Sequence, residues 1–137
     1  MSTPSGTSSS TQQADLRSEW IVTPAKVTTL VRSIVREADP AKIVAFGSRA
    51  RGTARRDSDL DLAVILDAID TTAPNPVMRH RFEHVSMPYD LIVTSRAHHE
   101  LLRNSRNSVH YHIAHEGVVL YDRDTGFADS SAVEKVG

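Results

Sequence analysis

The sequence predicts an α/β domain, and three observations carry that prediction. Apolar residues recur at helical spacing over 24–38. Short apolar runs of strand length follow near 42–46, 60–66 and 89–94. Two further stretches, opened by Ser95 and Ser108, have the residues that start and stop helices. Helical and extended segments that alternate in this way bury their faces against one another.

Thr23-Pro24 opens the first helix with a capping hydroxyl and a proline at the first helical position. Val27, Leu30, Val31, Ile34 and Val35 form its inward stripe, and Asp39-Pro40 ends it, because the residue before a proline is pushed out of helical geometry. The runs near 42–46, 60–66 and 89–94 read as strands, with a loop-rich stretch at 67–77 that carries Pro74 and Pro76. Ser95 caps a helix to about Arg103, Ser108 another that stops at Gly117, and Val118 to Tyr121 is a last short strand. There is no internal repeat.

These elements divide the 137 residues into a disordered Ser/Thr/Gln-rich tail at 1–14, one domain at 15–122 and a mobile end at 123–137. No apolar run is long enough to span a membrane. The start lacks the basic and apolar regions of a signal peptide, so the cytoplasm is the expected compartment. With no cysteine, disulfides and thiol catalysis are excluded. A net charge of −1 argues against general coating of nucleic acid but leaves room for a local basic cluster.

Such a cluster lies where the chemistry concentrates. Gly47-Ser48 is followed by ten residues and then Asp59-Leu60-Asp61 inside an apolar run. On a strand, side chains two apart share a face, so Asp59 and Asp61 project together from α-carbons about 7 Å apart, and Leu60, Leu62 and Val64 point to the other side. Paired carboxylates suit Mg²⁺, which is commonly held by one or two of them plus substrate phosphates. Two such ions about 3.5–4 Å apart clamp the attacking and leaving oxygens of an in-line displacement at phosphorus. Gly47 allows backbone to approach a ligand, and Ser48 can cap a helical turn whose free N–H groups face an anion. Arg49, Arg51, Arg55 and Arg56 follow at once and suit a triphosphate, the plainer alternative being a solvated arginine face.

Met87-Pro88-Tyr89-Asp90-Leu91-Ile92-Val93 places one more acid among apolar residues. If this strand lies beside that of Asp59 and Asp61, Asp90 joins them and can accept the proton of an acceptor hydroxyl. The alternative is an exposed aspartate on an edge strand.

Gly47-Ser48, the ten-residue spacer, Asp59-Leu60-Asp61 and Tyr89-Asp90-Leu91 resemble the minimal nucleotidyltransferases of the DNA polymerase β superfamily. The likeness runs from about Val27 to Asp122, where Ile113 to Asp122 is similar to the last helix end and strand of these domains. It implies their fold, a small mixed sheet with helices packed mainly on one face. It also implies their chemistry, the transfer of a nucleoside monophosphate from a nucleoside triphosphate to a hydroxyl with release of pyrophosphate. ATP is the favoured donor and two Mg²⁺ ions the cofactors. By the same resemblance Asp59, Asp61 and Asp90 hold the metals, Asp90 orients or deprotonates the acceptor, and Gly47 and Ser48 hold the terminal phosphates, with Arg49 and Arg51 as further phosphate contacts.

Short single-domain members of the family resemble MntA-type antitoxins, which adenylylate a tyrosine of a HEPN-type RNase toxin. A HEPN-type protein is therefore the expected partner. RNA, a small molecule, or neutralisation of the partner by contact alone are the alternatives. The seven histidines do not read as a metal site, since His98 and His99 face different ways and His110, His112 and His115 lack the His-x-x-x-His spacing. Trp20 is expected to anchor the N-terminal segment to the core.

Overall fold

The computed structural model describes residues 20–70, 72, 82 and 84–137. The tail expected at 1–14 lies outside the described residues, as does most of the loop-rich stretch at 67–77. Helix α1 spans Pro24–Ala38, strand β1 Lys42–Phe46, the single turn α2 Ser48–Arg51 and strand β2 Leu60–Leu66. Strand β3 spans Tyr89–Ser95, α3 Arg96–Leu102, α4 Val109–Glu116, β4 Val118–Asp122, β5 Gly126–Phe127 and α5 Ser130–Val136.

Local chemistry sets the helix ends where the sequence places them. Thr23 Oγ1 accepts the Lys26 amide at 3.3 Å, Ser95 Oγ the His98 amide at 3.1 Å, and Ser108 Oγ the His110 amide at 3.0 Å. Asp39 ends α1 in the left-handed region, φ 45°, its N–H donating to Val35 O at 3.0 Å. Gly117 ends α4 in extended rather than left-handed backbone; its need is room, because a Cβ there would run into Ile113 O and Val44 Cγ1.

The five strands form one mixed sheet in the order β3-β2-β1-β4-β5. β1 pairs antiparallel with both β2 and β4, whereas β3 runs parallel to β2. Alternation along the strands then divides the apolar residues between two faces. Leu60, Leu62, Val64 and Leu66 of β2, with Ile43 and Ala45 of β1, pack under Val27, Leu30, Val31 and Ile34 of α1 and form the larger core. Leu30 and Ile34 are completely buried, which stabilises the fold by roughly 1.5–3 kcal/mol each. Val44, Phe46, Ala63 and Ile65 point to the opposite face and meet Ile113 of α4 in a smaller cluster.

Two expectations are corrected. Trp20 is 63 % exposed and does not anchor the N-terminal segment. Residues 123–137 are not a mobile end, since they form β5 and α5 and complete the larger core with Val136, which is fully buried. Asp129 Oδ1 caps α5 by accepting the Ala132 amide at 3.3 Å. β5 is held by the Ala128 amide on Leu120 O at 2.9 Å and by Phe127 packed against the Tyr121 ring.

Candidate active site

The sheet register brings the acids together. Asp61 is the second residue of β2, and its lateral partner on β3 is Asp90. Neighbouring residues on adjacent strands project to the same side, so these two carboxylates leave the sheet together, on the face of Ala63 and Ile65. Asp59 stands one residue before β2, exposed, on the same alternation. Burial raises the Asp61 pKa, and the negative charges of Asp90 and then Asp59 raise it further, while Arg51 opposes them. Three carboxylates therefore share one field at the end of the sheet where β2 and β3 begin.

The other half of the site is the turn after β1. Phe46, the last residue of β1, lies opposite Asp61, so the chain leaves the sheet beside that acid. Gly47 has φ 78° and ψ −156°, a region almost confined to glycine. A Cβ on it would lie 2.5 Å from Asp61 Oδ2. Backbone and carboxylate thus meet with no side chain between them. Gly47, not Ser48, is the N-cap of α2, with no side-chain cap hydrogen bond, so Ser48 stands inside the first turn instead of capping it.

Arg49 corrects a second expectation. Its side chain is turned inward, 8 % exposed, and spends all five N–H groups on backbone carbonyls. Nε donates to Ser58 O at 3.0 Å, Nη1 to Val136 O at 3.2 Å and Gly137 O at 3.3 Å, and Nη2 to Arg55 O at 3.3 Å and Arg56 O at 3.0 Å. None is left for a phosphate. Burial lowers its pKa, with the charge of Asp59 acting in the opposite direction. Arg51 stays at the surface, 3.5 Å from Glu116 Oε1 at the end of α4, and close enough to Asp61 to act on its ionisation. Glu116 and its second partner His112 were not singled out by sequence; only the fold of α4 onto the sheet brings them here.

The histidines gather elsewhere. His98 and His99 do not diverge but both meet His110, with ring centroids 5.1 and 5.2 Å apart, and His99 Nδ1 lies 3.0 Å from His110 Nδ1. His99 shares a cleft with Lys42 and Ile65, the end of the β1–β2 pair opposite Phe46 and Asp61. Burial lowers the pKa of both His99 and His110.

The chain matches the Polymerase beta, Nucleotidyltransferase family over residues 29–126, a span that runs from within α1 to the first residue of β5. It belongs to that family. A candidate nucleotidyltransferase from Sulfolobus solfataricus has a similar fold, with a TM-score of 0.56, 19 % identity, and coverage of 77 % of this chain and 85 % of that one. No curated protein matches the chain. As a nucleotidyltransferase domain it is of the kind that works on nucleoside triphosphates with a divalent metal.

The residues present fit such a metal. Carboxylates are the hard oxygen donors that Mg²⁺ prefers, and mutual repulsion of the kind that raises the Asp61 pKa is what a cation relieves. Among the described residues no group of three or more His, Cys, Asp or Glu side chains stands close enough together to hold a metal ion by itself. Among the same residues no helix is long and apolar enough to cross a membrane.

Proposed function

We propose that this nucleotidyltransferase moves AMP from ATP to a hydroxyl of a partner protein, in the manner of an antitoxin that adenylylates a HEPN-type RNase toxin. The observation that carries the transfer is the register of Asp61 against Asp90, which sets a third carboxylate beside the Asp59–Asp61 pair where the Gly47 turn meets them. Asp59, Asp61 and Asp90 would hold Mg²⁺, which when bound neutralises the charge that develops on the phosphates. Gly47 and Ser48 offer bare backbone to the terminal phosphates, and Arg51 is the guanidinium at the rim with N–H groups to spare. Asp90, exposed at the sheet edge, accepts the acceptor hydroxyl's proton as that oxygen attacks the α-phosphorus. The bond to the β-phosphate then breaks and pyrophosphate leaves.

A protein acceptor is what the resemblance to MntA-type antitoxins implies. The test is catalytic. Incubation of a HEPN-type partner with ATP, Mg²⁺ and substoichiometric amounts of this chain adds the mass of one or more nucleotides to a hydroxyl side chain. Neutralisation persists after the chain is removed. Equal neutralisation by Asp59→Asn/Asp61→Asn would mean inhibition by contact, and labelling of added RNA in place of protein would move the acceptor to nucleic acid.

A further inference from the structure

The five bonds of Arg49 join its own turn to a loop 6–9 residues further on and to a segment 87–88 residues away. Its own turn follows the Gly47-Ser48 corner. The carbonyls of Arg55, Arg56 and Ser58 belong to the loop that delivers Asp59, and those of Val136 and Gly137 end α5. We infer that Arg49 is a positioning residue for Asp59 and Asp61, and that the end of α5 is the anchor that sets it. The inference rests on the reading that these acids hold a divalent ion.

Three features support it. A guanidinium with every donor satisfied is held in one orientation, so the loop carbonyls it gathers are held too. The loop also closes on itself, since Ser58 N donates to Arg55 O at 3.1 Å and Arg55 N to Ser58 Oγ at 2.8 Å, so carbonyls held by Arg49 hold the turn as a unit. At the other end, the carbonyls that close α5 carry the negative pole of that helix, which favours a cation. They are wedged in place as well, since a Cβ on Gly137 would lie 2.6 Å from Pro24 N at the start of α1. Position therefore passes from the packed end of α5 through Arg49 to the residues immediately before Asp59.

Hydrogen exchange and Mn²⁺ binding test this on the intact chain, using Arg49→Lys, Gly137→Ala and Val31→Ala. Lysine keeps the charge but offers three donors in place of the fork. Gly137→Ala leaves Arg49 intact and pushes the end of α5 from Pro24. Val31→Ala is a core control whose loss of stability lies away from the loop. In Arg49→Lys the amides of Arg55 and Ser58 are expected to exchange at least about tenfold faster, beyond any change in the control. Mn²⁺ affinity, read by electron paramagnetic resonance, is expected to fall about 10–100-fold, as it does when the supports of metal ligands are lost. Gly137→Ala is expected to move both readouts in the same direction and decides the matter if Arg49→Lys does not fold. Loop exchange no faster than in the control, or faster exchange with Mn²⁺ affinity intact, overturns the inference. If the unaltered protein binds no Mn²⁺, the metal reading fails, and the exchange comparison alone upholds or overturns the brace.

Discussion

A side chain on Gly47 would enter the space of the Asp61 carboxylate: its Cβ would stand 2.5 Å from Oδ2. The two residues are 14 apart in sequence and meet because β1 and β2 pair antiparallel with Phe46 opposite Asp61. The lack of a side chain at one position gives the carboxylate at the other its place.

Gly47→Ala is therefore expected to cost stability and function together. The φ of 78° alone strains any other residue by about 1–3 kcal/mol, and Asp61 must also swing away. Thermal melts check the first effect. Calorimetric titration with ATP and Mg²⁺ checks the second, expected as a loss of binding beyond what the unfolded fraction accounts for.

Asp61 sets the pH dependence. Its pKa in the folded protein lies above that of an ordinary carboxyl, so between the two values the folded state holds more protons than the unfolded one, and stability falls as pH rises through that window. The penalty is fully present above the folded pKa and absent below the ordinary value. Asp61→Asn should accordingly melt higher than the parent at pH 7, with the gap closing as pH approaches 4 and reversing in millimolar Mg²⁺. A parent that melts higher at pH 7 without metal would contradict this.

Asp90→Asn tests the acid that is proposed both to help hold Mg²⁺ and to accept the proton. Asp90 is exposed and lies on the edge strand, so its loss should leave the fold intact. Transfer is expected to fall about 10²–10⁴-fold, the usual worth of a positioned general base. Single-turnover assays with labelled ATP read this directly.

Val136→Ala examines the C-terminal helix. The side chain is fully buried, so truncation removes apolar contact and leaves a void worth about 2 kcal/mol. The midpoint of urea unfolding should fall with its slope unchanged. An unaltered midpoint would show that α5 is not part of the core.

Much of the fold is legible in the sequence because its signals are local. The caps at Thr23, Ser95 and Ser108, the stripe of α1 and the alternation of β2 depend on neighbours within a turn or a strand. The carboxylate pair is legible for the same reason, since the period of a strand alone puts Asp59 and Asp61 on one side. Residues 123–137 escaped because α5 is short, and its apolar contact with the core is made at a distance in sequence.

What the tertiary structure alone decides is who meets whom across the sheet. Parallel pairing of β3 with β2 sets Asp90 beside Asp61. The fate of the arginines is settled in the same way. Arg49 and Arg51 are two apart on one helical turn and look alike in sequence, yet one is drawn inward by five carbonyls, from the loop that follows and from the end of α5, and the other stays in solvent beside Glu116. Residue type and spacing state which groups a chain can offer; burial and the partners that folding supplies determine which of those groups are already spent.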